Sequence, residues 1–411
     1  MVHTRRDFLK GALSASALAS FGPAVPAFLA RAAATSPRAD GDTVLVVVQL
    51  SGGNDGLNTV VPYADDEYAR SRPTLRLPTN ELHKIDARLG FHPRMGAFLR
   101  LYQAGHLSIL PAVGYANADR SHDRAMRIWH TADPERPERQ TGWLGRAVDC
   151  HCDPAQPETR ATFIGPIGRP FALNSESSVV PSISSVEDLT RHPMSGCPSD
   201  ASVGPRAAVE SGNPLLQFAR KGTADARAMS RRLEAAAKTA SSTDYPPYGL
   251  ARDLRTVAQL VRADIGIRIF FTELGGGGIG GFDNHANQRG NHCALLGQLA
   301  ESVAAFVDDL KRAGLLDRVL LMTFSEFGRT VKENGRRGTG HGAAGPVFLA
   351  GGRLNGGLVG ACPSLTDLDN GALKFHTDFR QVYATVLERW LGFDSRAILG
   401  RRFELLDILQ T

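Results

Sequence analysis

The sequence predicts an α/β fold: a doubly wound, mostly parallel central sheet flanked by helices. Three observations point there. Residues 43–50 form a continuous, β-branched apolar run of strand length, the pattern of a strand covered on both faces. In the C-terminal third, strand-like and helix-like runs alternate, as parallel βαβ units require. Three short polar blocks each follow or close a hydrophobic segment: Phe282-Asp283-Asn284-His285, Ser325-Glu326-Phe327-Gly328-Arg329-Thr330 and Gly338-Thr339-Gly340-His341-Gly342. A doubly wound sheet collects such blocks at one edge, outside the carboxyl ends of its strands.

The chain opens with Thr4-Arg5-Arg6-Asp7-Phe8-Leu9-Lys10, followed by a mildly apolar run, 11–30, broken by serines and by Pro23 and Pro26. This is the pattern of a twin-arginine export signal, whose partner is the twin-arginine translocation machinery. A cytoplasmic helix and a membrane anchor are the alternatives, but the prolines and serines make the run a poor spanning helix. Ala30-Arg31-Ala32 offers a small-x-small cleavage site. Residues 1–32 therefore read as a signal peptide and 33–411 as the α/β domain, periplasmic or extracellular, with no stable membrane span after cleavage. The formal charge of +5 falls to +2 without that segment, which holds Arg5, Arg6, Lys10 and Arg31 against Asp7. No basic stripe with interleaved aromatics follows, so nucleic acid is not an expected partner. The five cysteines match neither a zinc ribbon nor a dense disulfide scaffold, and their odd number leaves at least one thiol over.

Each element then follows in order. The strand at 43–50 ends in Ser51-Gly52-Gly53-Asn54-Asp55-Gly56-Leu57-Asn58-Thr59, where glycines permit tight turns and Asp55 is part of the polar cargo. A second strand is expected at 107–113, leading to Ser121-His122-Asp123-Arg124 and an amphipathic segment. Ser121 stands where a helix begins, either as a simple N-cap or as a nucleophile that the helix dipole and free N–H groups would serve. From 192 to 247 the pattern weakens into Ser, Gly, Pro, Ala and Arg, with one helix expected between 214 and 237, and reads as an insertion or cap. The alternation resumes with a helix over 250–263 and a strand over 265–271. The glycine run 275–281 lacks the Lys-Ser/Thr ending of a phosphate loop and serves better as a flexible approach to Asp283. A long helix over 287–313 carries Leu296, Leu299, Val303, Phe306, Val307 and Leu310 at helical spacing, with Gly314 as its C-cap. Strands at 318–324 and 346–350 and an amphipathic helix over 378–391 complete the core.

The chemistry of the polar blocks is that of divalent metals. Carboxylates and neutral imidazoles are the usual donors for zinc, manganese, magnesium or calcium. Asp55, Asp283, His285, Glu326 and His341 are the candidate ligands for one or two such ions; Asp283 and His285 alternate on an extended loop and reach one ion only if the loop bends. Taken singly, each is equally a hydrogen-bonded loop residue. Two ions about 4 Å apart would clamp a tetrahedral anion, with Ser121 or a metal-activated water attacking. Arg329 would grip a further oxygen, or else pair with Glu326 or Glu333. A triad of the neighbours Ser121, His122 and Asp123 is disfavoured, because adjacent residues on one helical turn point apart.

These residues also carry a resemblance. The twin-arginine start, the stretch Gln49-Leu50-Ser51-Gly52-Gly53-Asn54-Asp55-Gly56-Leu57-Asn58-Thr59, Arg120-Ser121-His122, Gly142-Trp143-Leu144-Gly145-Arg146, Ser325-Glu326-Phe327-Gly328-Arg329-Thr330 and Thr377-Asp378-Phe379-Arg380-Gln381-Val382-Tyr383 resemble the exported domain-of-unknown-function 1501 family, from residue 1 to about 395. That family looks similar in fold to the alkaline phosphatase and sulfatase superfamily. The resemblance implies an alkaline-phosphatase-like core acting on a small-molecule or glycan ester of phosphate or sulfate, as a hydrolase or transferase. Asp55 would take the place of the first-strand metal aspartate, Ser121 that of the nucleophile, Asp283 and His285 a ligand pair, Glu326 the next strand-end ligand and His341 the final histidine. Two departures stand out. Gly340 occupies a position where the family usually has Asp, and Cys152-Asp153-Pro154-Ala155-Gln156 lacks the arginine of a sulfatase core. The alternative is a non-catalytic exported binding protein that keeps the fold.

Overall fold

The structure, a computed structural model, describes residues 43–150, 160–166, 168–178, 180–183, 243–276 and 281–410. The expected signal peptide at 1–32, the helix within 214–237 and most of the expected insertion at 192–247 lie outside those residues. The described residues form a mixed, mostly parallel central sheet flanked by helices.

The main strands are β1 (Val44–Leu50), β2 (Leu107–Gly114), β3 (Ala161–Ile164), β4 (Ser182–Ile183), β5 (Ile269–Leu274), β6 (Val319–Phe324), β7 (Arg329–Glu333), β8 (Thr339–His341), β9 (Gly345–Gly351), β10 (Gly357–Leu358) and β11 (Thr377–Asp378). The helices that matter here are α1 (Asp66–Ser71), α2 (Gly96–Gln103), α3 (His122–Thr131), α4 (Trp143–Asp149), α5 (Gly249–Arg262), α6 (Gln288–Arg312) and α7 (Phe379–Thr385). The large sheet has the order β10-β2-β9-β6-β1-β5-β3-β4, with β11 added beside β2. Strands β5 and β6 lie parallel on either side of β1, in register Gln49 to Glu273 and Gln49 to Phe324. Only β9 runs against its neighbours among the described strands of this sheet. Its direction follows from the chain path: β6 is followed by the β7–β8 hairpin at the carboxyl edge, so the chain re-enters the sheet from that edge.

The apolar run of β1 is buried on both faces, and its alternating side chains belong to different cores. Val44, Val46, Val48 and Leu50 join Leu254, Val257, Leu296, Leu299, Val303 and Phe306 under α5 and α6. Leu45 and Val47 join Trp129, Trp143, Phe324, Phe379 and Tyr383 under α3, α4 and α7. This is the pleat's period of two read out in packing. The Gly142-Trp143-Leu144-Gly145-Arg146 motif belongs to the second core: Trp143 stacks on Tyr383 at 4.0 Å between ring centroids, and Arg146 donates to the carbonyls of Thr131, Thr141 and Ile398.

The helices over 250–263 and 287–313 and the strands at 43–50, 107–113, 318–324 and 346–350 stand within about one residue of expectation. The strand expected at 265–271 begins later, at Ile269, because Gly266 turns with φ +90° before it. The last expected helix, 378–391, is α-helical only to Thr385 and continues as a π-turn over Val386–Leu391. Among the described residues Cys150, Cys293 and Cys362 are unpaired, and no helix is long and apolar enough to cross a membrane.

Candidate metal centre

The parallel strands β2, β6, β1 and β5 all end at one edge, and the polar blocks meet there. Behind β1, Ser51-Gly52-Gly53 turns so closely under Phe282-Asp283 that a Cβ on Gly52 would lie 2.5 Å from the Asp283 nitrogen; the residue sits at φ +114°. Asp283 and His285 do converge, because their loop bends. The Asn284 N–H reaches the Phe282 carbonyl at 2.8 Å and the His285 N–H reaches that of Asp283 at 3.3 Å, two contacts of γ-turn type in succession.

Asp283 Oδ1 is the hub. His285 Nε2 lies 3.0 Å from it, His341 Nε2 3.2 Å, His122 Nε2 3.4 Å and an Arg329 amino nitrogen 2.6 Å. His285 Nε2 and His341 Nε2 are 2.9 Å apart. Ligand atoms of His122, Asp283 and His341 all fall within 4.8 Å of one another.

The other ring nitrogens fix the tautomers. His341 Nδ1–H donates to the Arg120 carbonyl at 2.6 Å, and His122 Nδ1–H donates to Glu326 Oε1 at 2.8 Å. In the neutral rings both Nε2 atoms are then bare lone pairs aimed at the carboxylate. His122 Nε2 is a buried atom with no hydrogen-bond partner. The Arg329 guanidinium offsets part of the carboxylate charge, and a divalent cation is the further positive charge that converging imidazole lone pairs and a carboxylate suit. Ligands at about 2.0–2.1 Å from a tetrahedral ion stand about 3.3 Å from each other, close to the separations seen.

The surroundings act differently on the three groups. Burial works against the Asp283 charge, but the Arg329 hydrogen bond and charge outweigh it and hold the carboxyl down at about 2. His122 is raised, chiefly by its hydrogen bond to Glu326, whereas burial lowers His285.

Three expected roles change. Glu326 is turned away from the ligand cluster: Oε1 accepts from the Gly52 N–H and His122, and Oε2 accepts from Ser325 Oγ–H. It orients His122 instead of offering a free oxygen. Arg329 is fully buried, and its guanidinium binds the carbonyls of Gly52, Gly53, Phe282 and Thr339 together with Asp283. It is buried away from solvent rather than turned towards an open site, and its carboxylate partner is Asp283, neither Glu326 nor Glu333. Asp55 lies behind the cluster, its carboxylate held by Arg72 (2.5 and 2.8 Å) and Gln288.

Ser121 stands at the N-cap position of α3, exposed, and its hydroxyl makes no capping bond. Its neighbours on both sides are tied to the cluster: the Arg120 carbonyl by His341, and His122 as a member. Gly340 faces elsewhere. A Cβ there would meet Thr330 at 3.2 Å, and strand alternation puts it opposite to His341.

The sequence pattern of a family described as a protein of unknown function, DUF1501, matches residues 42–407. The chain belongs to the DUF1501 family. A search of the curated proteins matched none of them. Among solved structures, this DUF1501 member is similar to the zinc complex of the C-terminal periplasmic domain of EptC from Escherichia coli (10% identity, 76% of this chain and 74% of that one, TM-score 0.33). It is similar also to a protein in the alkaline phosphatase superfamily from Vibrio parahaemolyticus (12%, 92% and 77%, 0.37). A third is the lipoteichoic acid synthase LtaP from Listeria monocytogenes (8%, 85% and 79%, 0.36). At such identities and scores, what those proteins bind or act on belongs to them.

The residue that joins the cluster without having been a candidate ligand is His122. Its signal was its position: like the other polar blocks, it follows the carboxyl end of a predicted strand.

Proposed function

We propose that this DUF1501 protein is an exported metal-dependent enzyme that hydrolyses or transfers a phosphate or sulfate ester. The observation that carries the reading is the convergence of His122 Nε2, His285 Nε2 and His341 Nε2 on Asp283 Oδ1, with the His122 nitrogen buried and unpartnered. Three imidazoles against one carboxylate favour zinc over magnesium or calcium. What a bound ion supplies is Lewis-acid polarisation of an ester oxygen.

The chain's own groups divide the remaining work. His122, Asp283 and His341 hold the ion, with His285 beside them, and Glu326 and the Arg120 carbonyl keep two of the rings turned inward. Ser121, at the start of α3, is the attacking group: its oxygen bonds to phosphorus or sulfur as the bond to the departing alcohol oxygen breaks, the serine proton leaving with that alcohol. Water or a second alcohol then takes the group from Ser121, restoring the hydroxyl. The first-turn N–H groups of α3 favour the anion.

Metal analysis of protein purified from the periplasm, with a panel of aryl phosphate and sulfate esters, tests the reading. Asp283→Ala and His341→Ala are each expected to lower metal content, whereas Ser121→Ala spares metal and abolishes turnover. A metal-free protein that is stable to chelator and inactive on the panel would sink it. That result would support the second reading, a non-catalytic exported binding protein, which one observation favours: Arg329, the arginine expected to grip substrate, is buried and holds Asp283 and backbone carbonyls.

A further inference from the structure

We infer that the centre holds a single divalent cation, because Arg72 is a built-in positive charge that occupies the Asp55 carboxylate a second ion would need. The inference rests on the metal reading above and goes further, to the number of ions.

The geometry at Asp55 is closed. Arg72 follows α1, is fully buried, and meets Asp55 end-on, Nη1 to Oδ2 at 2.5 Å and Nη2 to Oδ1 at 2.8 Å. Its remaining donors go to Asn58 Oδ1 and to the carbonyls of Thr330 and Val331, each at 3.0 Å. All five guanidinium N–H groups are thereby matched, the planar fork against the planar carboxylate. Gln288 Nε2 donates to Oδ2 as well, and Gln288 is itself held by Thr339 Oγ1–H at 2.7 Å. An ion at Asp55 would have to displace a buried guanidinium that has no water to turn to, which leaves an uncompensated buried charge.

Asp55 is nonetheless next to the centre. Thr339 stands two residues before His341, and its carbonyl accepts from Arg329, which holds Asp283. Two aspartates at neighbouring strand ends thus each have a guanidinium, but they differ in access. Asp283 is 42% exposed and ringed by imidazoles, whereas Asp55 is 2% exposed with no imidazole among its hydrogen-bond partners. Two-metal centres need donors enough for both ions. Here Glu326, a further carboxylate at this edge, has Oε1 engaged by Gly52 and His122, while its Oε2 lies 3.0 Å from Ser325 Oγ, a hydroxyl shared with the Leu50 carbonyl.

The test is cobalt titration of chelator-stripped full-length mature protein, followed by absorbance, together with elemental analysis after gel filtration. One equivalent is expected in the wild type and, with less than a threefold change in affinity, in Asp55→Asn. Two equivalents in the wild type would overturn the inference, as would loss of the single ion in Asp55→Asn. No binding in the wild type would instead overturn the metal reading itself. Should Asp55→Asn fail to fold, Asp55→Asn combined with Arg72→Gln removes both buried charges together and is held to the same expectation, and the wild-type stoichiometry decides on its own.

Discussion

Glu326 illustrates how one side chain's work is set by its neighbours. Its carboxylate stands at the end of β6 beside His122, yet the Gly52 N–H, the Ser325 hydroxyl and the His122 ring already occupy its oxygens. A carboxylate in that position fixes the ring's tautomer and strengthens its basicity, and loss of such partners typically weakens metal binding 10–100-fold. Glu326→Gln is therefore expected to fold and to bind metal about 10–100-fold more weakly, while keeping the stoichiometry. Competition with a chromophoric chelator reads this directly; an unchanged affinity would remove Glu326 from the support of the site. His285 has a looser position, 38% exposed, with its Nε2 beside both His341 and Asp283.

At the scale of elements, Arg329 is the staple. It starts β7, yet its guanidinium ties the turn after β1 through Gly52 and Gly53, the loop after β5 through Phe282 and Asp283, and β8 through Thr339. The polar blocks have almost no apolar surface to hold them together, so this buried charge does so with hydrogen bonds. Arg329→Met leaves a row of buried carbonyls and Asp283 without their donor. A loss of about 3–5 kcal/mol is expected, measured by denaturant unfolding of the metal-free protein, where the effect is separate from ligand binding. A loss below about 1 kcal/mol would mean that the carbonyls find water.

For the molecule as a whole, the carboxyl edge of the sheet carries a further acidic group, and it has a pH signature. Burial pushes Glu273, at the end of β5, from its ordinary 4.5 up to about 7, against a small opposing effect of Ser51. Below pH 4.5 the group is protonated folded or unfolded and contributes nothing to the pH dependence. As pH rises from 4.5 towards 7 the unfolded chain releases the proton and the folded one keeps it, so stability falls. Asp253, raised by burial to about 6, acts with the same sign over a lower range. Glu273→Gln is expected to flatten the decline between pH 5 and 7 by on the order of 1–3 kcal/mol. Thermal unfolding at fixed ionic strength checks it, and an unchanged slope would show that Glu273 titrates as an ordinary surface acid.

The sequence by itself determined five strands of the large sheet, the long helices and the edge at which the polar blocks gather. Those features are written in local periodicity: a continuous apolar run in β1, helical spacing in α6, and polar blocks after strands. Asp283, His285 and His341 stood out as candidate ligands for the same reason, since each belongs to a polar block that follows or closes a hydrophobic segment, and the fold brings those blocks to one edge. Tertiary structure alone decided which charges meet. Asp55 finds Arg72 and Glu326 finds His122, pairs 17 and 204 residues apart, with no pattern in the chain that links them. Arg329 became a staple instead of a substrate clamp because the turns of Gly52 and Phe282 close over it, and the direction of β9 followed from where the β7–β8 hairpin returned the chain. Pairing among buried charges depends on distances through space, and a linear sequence records only distances along the chain.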